Sequence, residues 1–313
     1  MHPPVRRQSG ATITLRDFRS AIVDELRTDR TALSPADRPR RAAAIIVPLI
    51  ILLFAGGLGH AVVTSIEQLL SYTPTDALQY ATVDINTQTE YLVGYLLRYN
   101  IPGLLGCLAM MLLRHRPKPA CPARIPAWTT EVKTFFVAFA VMMAGTTMMT
   151  WAATVLHIQM VNRATIPIGD AATMLVLLGS ATAGLMEEPI ALGVVAVGLR
   201  RCRVPWPIVA AIAALMRVSY HLYYGWAALA IAIWPVLFVM IYRRTGAIMP
   251  LIVAHGVYDV ILLEQQLHPY TPFAEPLFDV LALIGVAIIV ITAVRRMTAV
   301  AASSRHASPQ VNG

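Results

Sequence analysis

Residues 171–199 read AATMLVLLGSATAGLMEEPIALGVVAVGL, an apolar run whose only charges are the adjacent acids Glu187 and Glu188. A helix needs roughly 20 apolar residues to cross about 30 Å of hydrocarbon, and this run is long enough. A carboxylate at that depth costs about 2.5–3.5 kcal/mol on insertion scales. Two in succession point to a site rather than to packing alone. Pro189 follows the acids, lacks an N–H and clashes with the preceding turn, so a kink is predicted beside them. The flanking glycines, Gly184 and Gly193, predict room for water at that kink. Adjacent helical positions point about 100° apart, so only one of the two acids faces any given reactant.

The rest of the chain has the same character. Of its 313 residues, 57% are hydrophobic and 13% charged, against about 25% charged in a soluble domain. Eight apolar segments, roughly 42–64, 91–113, 133–156, 171–199, 205–223, 226–242, 247–263 and 277–294, predict an all-α polytopic bundle of about eight transmembrane helices. The connecting charges alternate. The first 41 residues hold nine Arg, and the connections after the second, fourth and sixth segments hold Arg114, Arg116, Lys118 and Arg124, then Arg200, Arg201 and Arg203, then Arg243 and Arg244. Arg295 and Arg296 close the last segment, while 65–90 and 264–276 have no Lys or Arg. This alternation places both termini in the cytoplasm by the positive-inside rule. It also reads the net charge of +8 as topology signal and anionic-lipid contact, not as a nucleic-acid surface.

The chain divides into a basic N-terminal arm (1–41), a transmembrane domain (42–296) with its chemical core at 171–262, and a tail (297–313). No apolar core follows the initiator at signal-peptide distance, so no cleavable signal is expected. In the arm, Leu15, Phe18, Ile22, Val23 and Leu26 recur at helical spacing, which fits a helix lying on the membrane surface, a soluble cap or an unfolded tail. Cys107, Cys121 and Cys202 are too few and scattered for a disulfide framework. No internal repeat or pair of broken helices supports a transporter.

Two further segments carry polar pairs. Arg217 and His221 are four residues apart and share a helix face, as do His255 and Asp259. Tyr220, Tyr223 and Tyr224 read as an interfacial tyrosine belt. An acid, two imidazoles and a second acid on three helices suffice for water activation. A desolvated Glu is a credible general base, the histidines are donors to a developing oxyanion, and Asp259 can orient His255. The set Glu187, His221, His255 and Asp259 also permits zinc, although no HExxH is present.

A Glu-Glu helix, a histidine helix and a His-x-x-x-Asn/Asp helix, in that order, resemble the CPBP family of intramembrane endopeptidases (CAAX proteases and bacteriocin-processing proteins). The family pattern is EExxxR, FxxxH and HxxxN/D. Glu187 and Glu188 match the first motif, His221 the second, and His255 with Asp259 the third. The resemblance implies hydrolysis of a peptide bond in a lipidated or membrane-embedded peptide. Glu187 would activate water, and His221 and His255 would bind the oxyanion. It implies membrane lipids and a peptide or lipidated protein as partners, and a multi-pass protein of the bacterial plasma membrane. It requires no cofactor for a glutamate mechanism and allows zinc for a metal one. The motif-one arginine is Leu192 here, and the motif-two phenylalanine is Arg217. This pairing predicts that Arg217 supplies the missing cation from the next helix, pairing with Glu188 and leaving Glu187 for chemistry. The alternative function is a non-catalytic scaffold or a bacteriocin-immunity-type protein that retains the fold.

Overall fold

The computed structural model describes residues 29, 31, 33, 35, 36, 38–71, 85–114, 127–157, 170–267 and 274–306. Among them there are helices, turns and short connections and no strand, so the chain is an all-α polytopic bundle. The first expected span is two helices, α1 (Pro39–Gly57) and α2 (Gly59–Ser71), joined at Leu58. Then come α3 (Ile85–Leu113) and α4 (Ala127–Val155). The acid-bearing helix is α5 (Asp170–Glu188), which passes through a π-helical segment (Pro189–Val194) into α6 (Val195–Arg201). The remaining helices are α7 (Trp206–Ser219), α8 (Ile233–Thr245), α9 (Met249–Leu267) and α10 (Ala274–His306). Between α7 and α8 lie two 3-10 turns, Leu222–Tyr224 and Trp226–Ala232.

Six of these stretches are long and apolar enough to cross a membrane: Pro39–Gly57, Leu96–Leu113, Trp128–Val155, Leu177–Arg201, Trp226–Thr245 and Pro276–Arg295. The other two expected crossings fall outside that set for separate reasons. The helix α7 has only 14 residues, and His255, Asp259 and Glu264 lower the hydropathy of α9. The last helix continues to His306, beyond the expected boundary at 296. The amphipathic pattern at 15–26 lies outside the described residues, as does Cys121. Cys107 and Cys202 are free thiols.

The α5–α6 rod is the most enclosed element, packed by α3, α9 and α1. The α10 helix is the most peripheral and leans mainly on α4. One feature decides how close α5 comes to α9. A Cβ on Gly184 would sit 2.0 Å from the Ile252 carbonyl oxygen, and one on Gly256 would sit 2.2 Å from that of Ala181. Each glycine therefore lets the other helix's backbone approach, as small residues do between membrane helices. Side chains take the space beside the π segment. Ile248 Cδ1 and Met110 Sδ lie where a Cβ of Gly193 would be, and all of Pro189–Val194 is buried. The expected room for water beside Pro189 is thus filled by side chains. The missing proline N–H is absorbed by widening the helix into a π segment, a device often found at functional positions.

The arginine-rich end is tied by arginines that cap the carbonyls of neighbouring elements. Arg201 donates to the Leu113 carbonyl and Arg114 to that of Gly246, both at 2.8 Å. These satisfy acceptors that a helix C-terminus leaves open. Asp29 joins the same end, accepting from Trp206 Nε1–H at 2.8 Å and from the Thr31 hydroxyl at 2.7 Å. Burial pushes the Asp29 carboxyl up, but these bonds, with Arg200 nearby, outweigh it and hold the acid below its ordinary value. A carboxyl held low stabilises the fold above its unfolded-state pKa, and this contribution is lost as pH falls through the folded value.

Two outcomes follow from this packing. Gly184→Leu should force α5 from α9 and cost at least about 1–3 kcal/mol, read as a lower melting midpoint in detergent. Lowering the pH through and below about 4, near the ordinary Asp pKa, should lower the melting midpoint of the wild type more than that of Asp29→Asn.

Candidate active site

The α7 helix rises from Trp206 at the arginine-rich end, and Arg217 stands about 16 Å along it at 1.5 Å per residue. That is near the middle of about 30 Å of hydrocarbon. The helix stops at Ser219, and the chain then runs irregularly through Tyr220 and His221 into the turn Leu222–Tyr224. Gly225 closes that turn with φ 80° and ψ −168°, a conformation open in practice to glycine. A continuous helix over 205–223 would have carried His221 to the far end of the crossing. Stopping at Ser219 keeps His221 beside the other polar groups.

Arg217 is 1% exposed and bridges both acids: its Nη1 donates to Glu187 Oε2 and its Nη2 to Glu188 Oε1. The expected division, with Arg217 on Glu188 alone, is therefore corrected. The guanidinium fork has parallel donors, and the two adjacent acids reach one donor each. Leu192, where the family motif has arginine, is buried in the apolar core.

The two acids differ in surroundings. Glu188 is fully buried, and its Oε1 also receives His255 Nδ1 at 2.8 Å. Its Oε2 is buried without a hydrogen-bond partner. The Glu187 side chain is 17% accessible. Its Oε2 receives the Tyr220 hydroxyl at 2.8 Å as well as Arg217, while its Oε1 has no hydrogen bond to a described residue. Glu187 thus holds one fixed oxygen and one oxygen open to a reactant. Tyr220 is 3% exposed, and its carbonyl accepts from Ser65 of α2 at 2.8 Å. The tyrosine belt expected here is therefore in part a site residue. Nothing in its sequence context separates Tyr220 from Tyr223 and Tyr224; the helix end at Ser219 does.

His255 lies between two carboxylates. Its Nδ1 faces Glu188, and its Nε2 faces Asp259 Oδ2 at 3.5 Å, an ion-pair distance. Ionised carboxylates only accept, so both contacts are satisfied when both ring nitrogens carry protons. Asp259, at 28% side-chain accessibility, is the most open member of the cluster. His221 Nδ1 lies 2.9 Å from the Arg217 carbonyl, which only accepts, so that nitrogen carries the proton. The His221 ring packs 4.7 Å from that of Tyr220 and 6.4 Å from that of Trp234, and Trp234 in turn meets His255 edge-on at 5.0 Å. All five residues read from the sequence, Glu187, Glu188, His221, His255 and Asp259, and Arg217 with them, fall in one neighbourhood. Tyr220 and Trp234 are additions from the structure.

The fit of this set to zinc is poor. Among the described residues no group of three His, Cys, Asp or Glu side chains is arranged to hold a metal. In the expected set, one Glu187 oxygen is taken by Arg217 and Tyr220, and both His255 nitrogens face carboxylates. A guanidinium at the carboxylates further opposes a dication there.

This geometry gives a prediction about the clamp. Arg217→Leu leaves two buried carboxylates without their cation and should destabilise the fold by about 3–5 kcal/mol. Tyr220→Phe removes one donor and should cost about 1 kcal/mol. Thermal unfolding of both variants in detergent checks the order.

No curated protein and no solved structure matches the chain. The family model described as type II CAAX prenyl endopeptidase Rce1-like matches residues 169–261, from just before α5 to within α9, and so takes in all the site residues named above. The match is to a protease family of membrane proteins, and it is consistent with membership of the CPBP family that the order of the three motifs resembles.

Proposed function

We propose that this chain is an intramembrane endopeptidase that hydrolyses a peptide bond in a lipidated or membrane-embedded peptide, using water activated by Glu187. One observation carries the reading. Of two adjacent acids clamped by a single arginine, Glu188 is sealed and doubly bonded, while Glu187 keeps an accessible oxygen. A structural pair would need neither the asymmetry nor the opening.

In this reading Glu187 Oε1 accepts a proton from water as the water oxygen attacks the scissile carbonyl carbon. The Nε2–H of His255, whose contact with Asp259 is long, donates to the oxyanion that forms, and His221 joins it as an imidazolium, with Nε2 protonated as well as Nδ1. Collapse breaks the C–N bond, and the proton held by Glu187 passes to the leaving amine. Glu188 and Asp259 fix the His255 ring, and Arg217 places a positive charge against both glutamates in low dielectric. Zinc enters no step of this reading, because both His255 nitrogens face carboxylates and the Arg217 guanidinium sits at the acids.

Access favours one side. Glu187, Asp259 and the break after Ser219 all lie toward the arginine-poor end of the buried core formed by Glu188, Arg217 and His255. With arginine-rich ends inward, the substrate peptide reaches the site from the non-cytoplasmic half of a bacterial plasma membrane. That supports a membrane-embedded peptide over a cytosolic lipidated one.

The test is cleavage in liposomes of a panel of transmembrane peptides and one prenylated peptide. Wild type should cleave a transmembrane peptide, and chelator should not change its rate. Glu187→Gln and His255→Ala should each lose at least about 100-fold, in the range that removing a general base or an oxyanion donor produces. A folded wild type that cleaves nothing would favour the scaffold or immunity-type alternative, with Leu192 as the mark of lost catalysis. Loss of activity with chelator, restored by zinc, would overturn the metal-free mechanism.

A further inference from the structure

Trp234 stands at the start of α8, 5% exposed, and meets three members of the polar cluster, Arg217, His255 and His221. Its ring face lies under the Arg217 guanidinium, with Cζ 4.6 Å from the centroid. Its ring meets His255 at 5.0 Å and 83°, and His221 at 6.4 Å and 64°. On its far side Phe238 packs at 5.7 Å, and α4 makes room through Gly145, where an added Cβ would lie 3.1 Å from Trp234 Cβ. The ring is thus held from behind and presents its face and edge to three site residues.

We propose that Trp234 is a positioning residue of this site, resting on the peptidase reading for its consequence in catalysis. Arg217 has both terminal nitrogens committed to carboxylates, and its Nε is buried without a partner. Two ring faces also hold the guanidinium plane in register with Glu187 and Glu188: the indole at 4.6 Å is the nearer and the Tyr220 ring lies at 5.6 Å, and in a desolvated place such attraction is strong. Both imidazoles meet the same indole at steep angles, so one ring sets the spacing between the arginine clamp and the two histidines. The indole Nε1–H is buried and has no hydrogen-bond partner. A phenyl ring would supply a face without stranding a donor, so the function assigned to Trp234 lies in its face and its bulk.

Two substitutions separate face from N–H. Trp234→Phe keeps an aromatic face, and Trp234→Leu keeps only apolar volume. Trp226→Leu, at a residue 59% exposed, is the control. The first readout needs no substrate: ring resonances of 15N-histidine in the full chain in detergent, with His221 and His255 assigned from their alanine variants. Trp234→Leu should move both histidine signals, while Trp234→Phe and Trp226→Leu should leave them near wild type. The second readout is cleavage of the transmembrane peptide. Trp234→Leu should lose about 30-fold in kcat with KM little changed, the factor matching about 2 kcal/mol of cation–π attraction, and Trp234→Phe should keep most of kcat. Unmoved histidine signals in a folded Trp234→Leu would overturn the proposal. So would a Trp234→Phe variant as perturbed as Trp234→Leu. If wild type cleaves no peptide, the peptidase reading fails by itself, and the histidine signals still decide whether Trp234 positions the cluster.

Discussion

The bundle depends on one guanidinium held near mid-depth between two successive carboxylates. Each acid alone at that depth opposes insertion, and Arg217 alone would do the same. Together, with the fork of Arg217 giving one nitrogen to each acid, the charges are compensated where water cannot do it. Buried pairs of this kind contribute little net stability, yet losing one partner is costly. The constraint is therefore geometric: α5 and α7 must meet with Arg217 opposite the kink.

Other features of the fold serve that meeting. Pro189 turns the helix into a π segment directly after the acids, which lets the α5–α6 rod stay continuous while its hydrogen-bond register changes. Gly184 and Gly256 bring α9 to backbone contact with α5, and this closeness lets His255 reach Glu188. Beyond the end of α7 at Ser219, the Tyr220 hydroxyl reaches Glu187 and the His221 ring bonds the Arg217 carbonyl. At the arginine-rich end, Arg201 and Arg114 cap the carbonyls of neighbouring elements and fix the helices at the level from which these depths are measured.

Much of this was legible in the chain. Intramembrane acids and histidines are conspicuous against an apolar background, and Glu187, Glu188, His221, His255, Asp259 and Arg217 all stood out for that reason. The arginine clusters at 114 and 200–203 marked the end at which the helices are tied together. What the chain did not disclose depends on tertiary context. A helix that stops at Ser219 reads the same as one that continues, because Tyr220, Leu222 and Tyr223 suit either. Trp234 lies in an apolar run where tryptophan is ordinary filler, and only the neighbouring rings reveal its place. The sharing of Arg217 by both acids depends on how α7 meets α5, which spacing alone does not give. The glycines near the acids suggested space, whereas Ile248, Met110 and the α9 backbone fill it.

The most direct test of the account is mass spectrometry of a transmembrane peptide cleaved by the purified protein in 18O-water. If Glu187 activates water against the scissile carbonyl, the new carboxyl terminus made by wild type carries one 18O, and Glu187→Gln, which keeps the side-chain shape, makes no product. Product without 18O, or labelled product formed as readily by Glu187→Gln as by wild type, would contradict it.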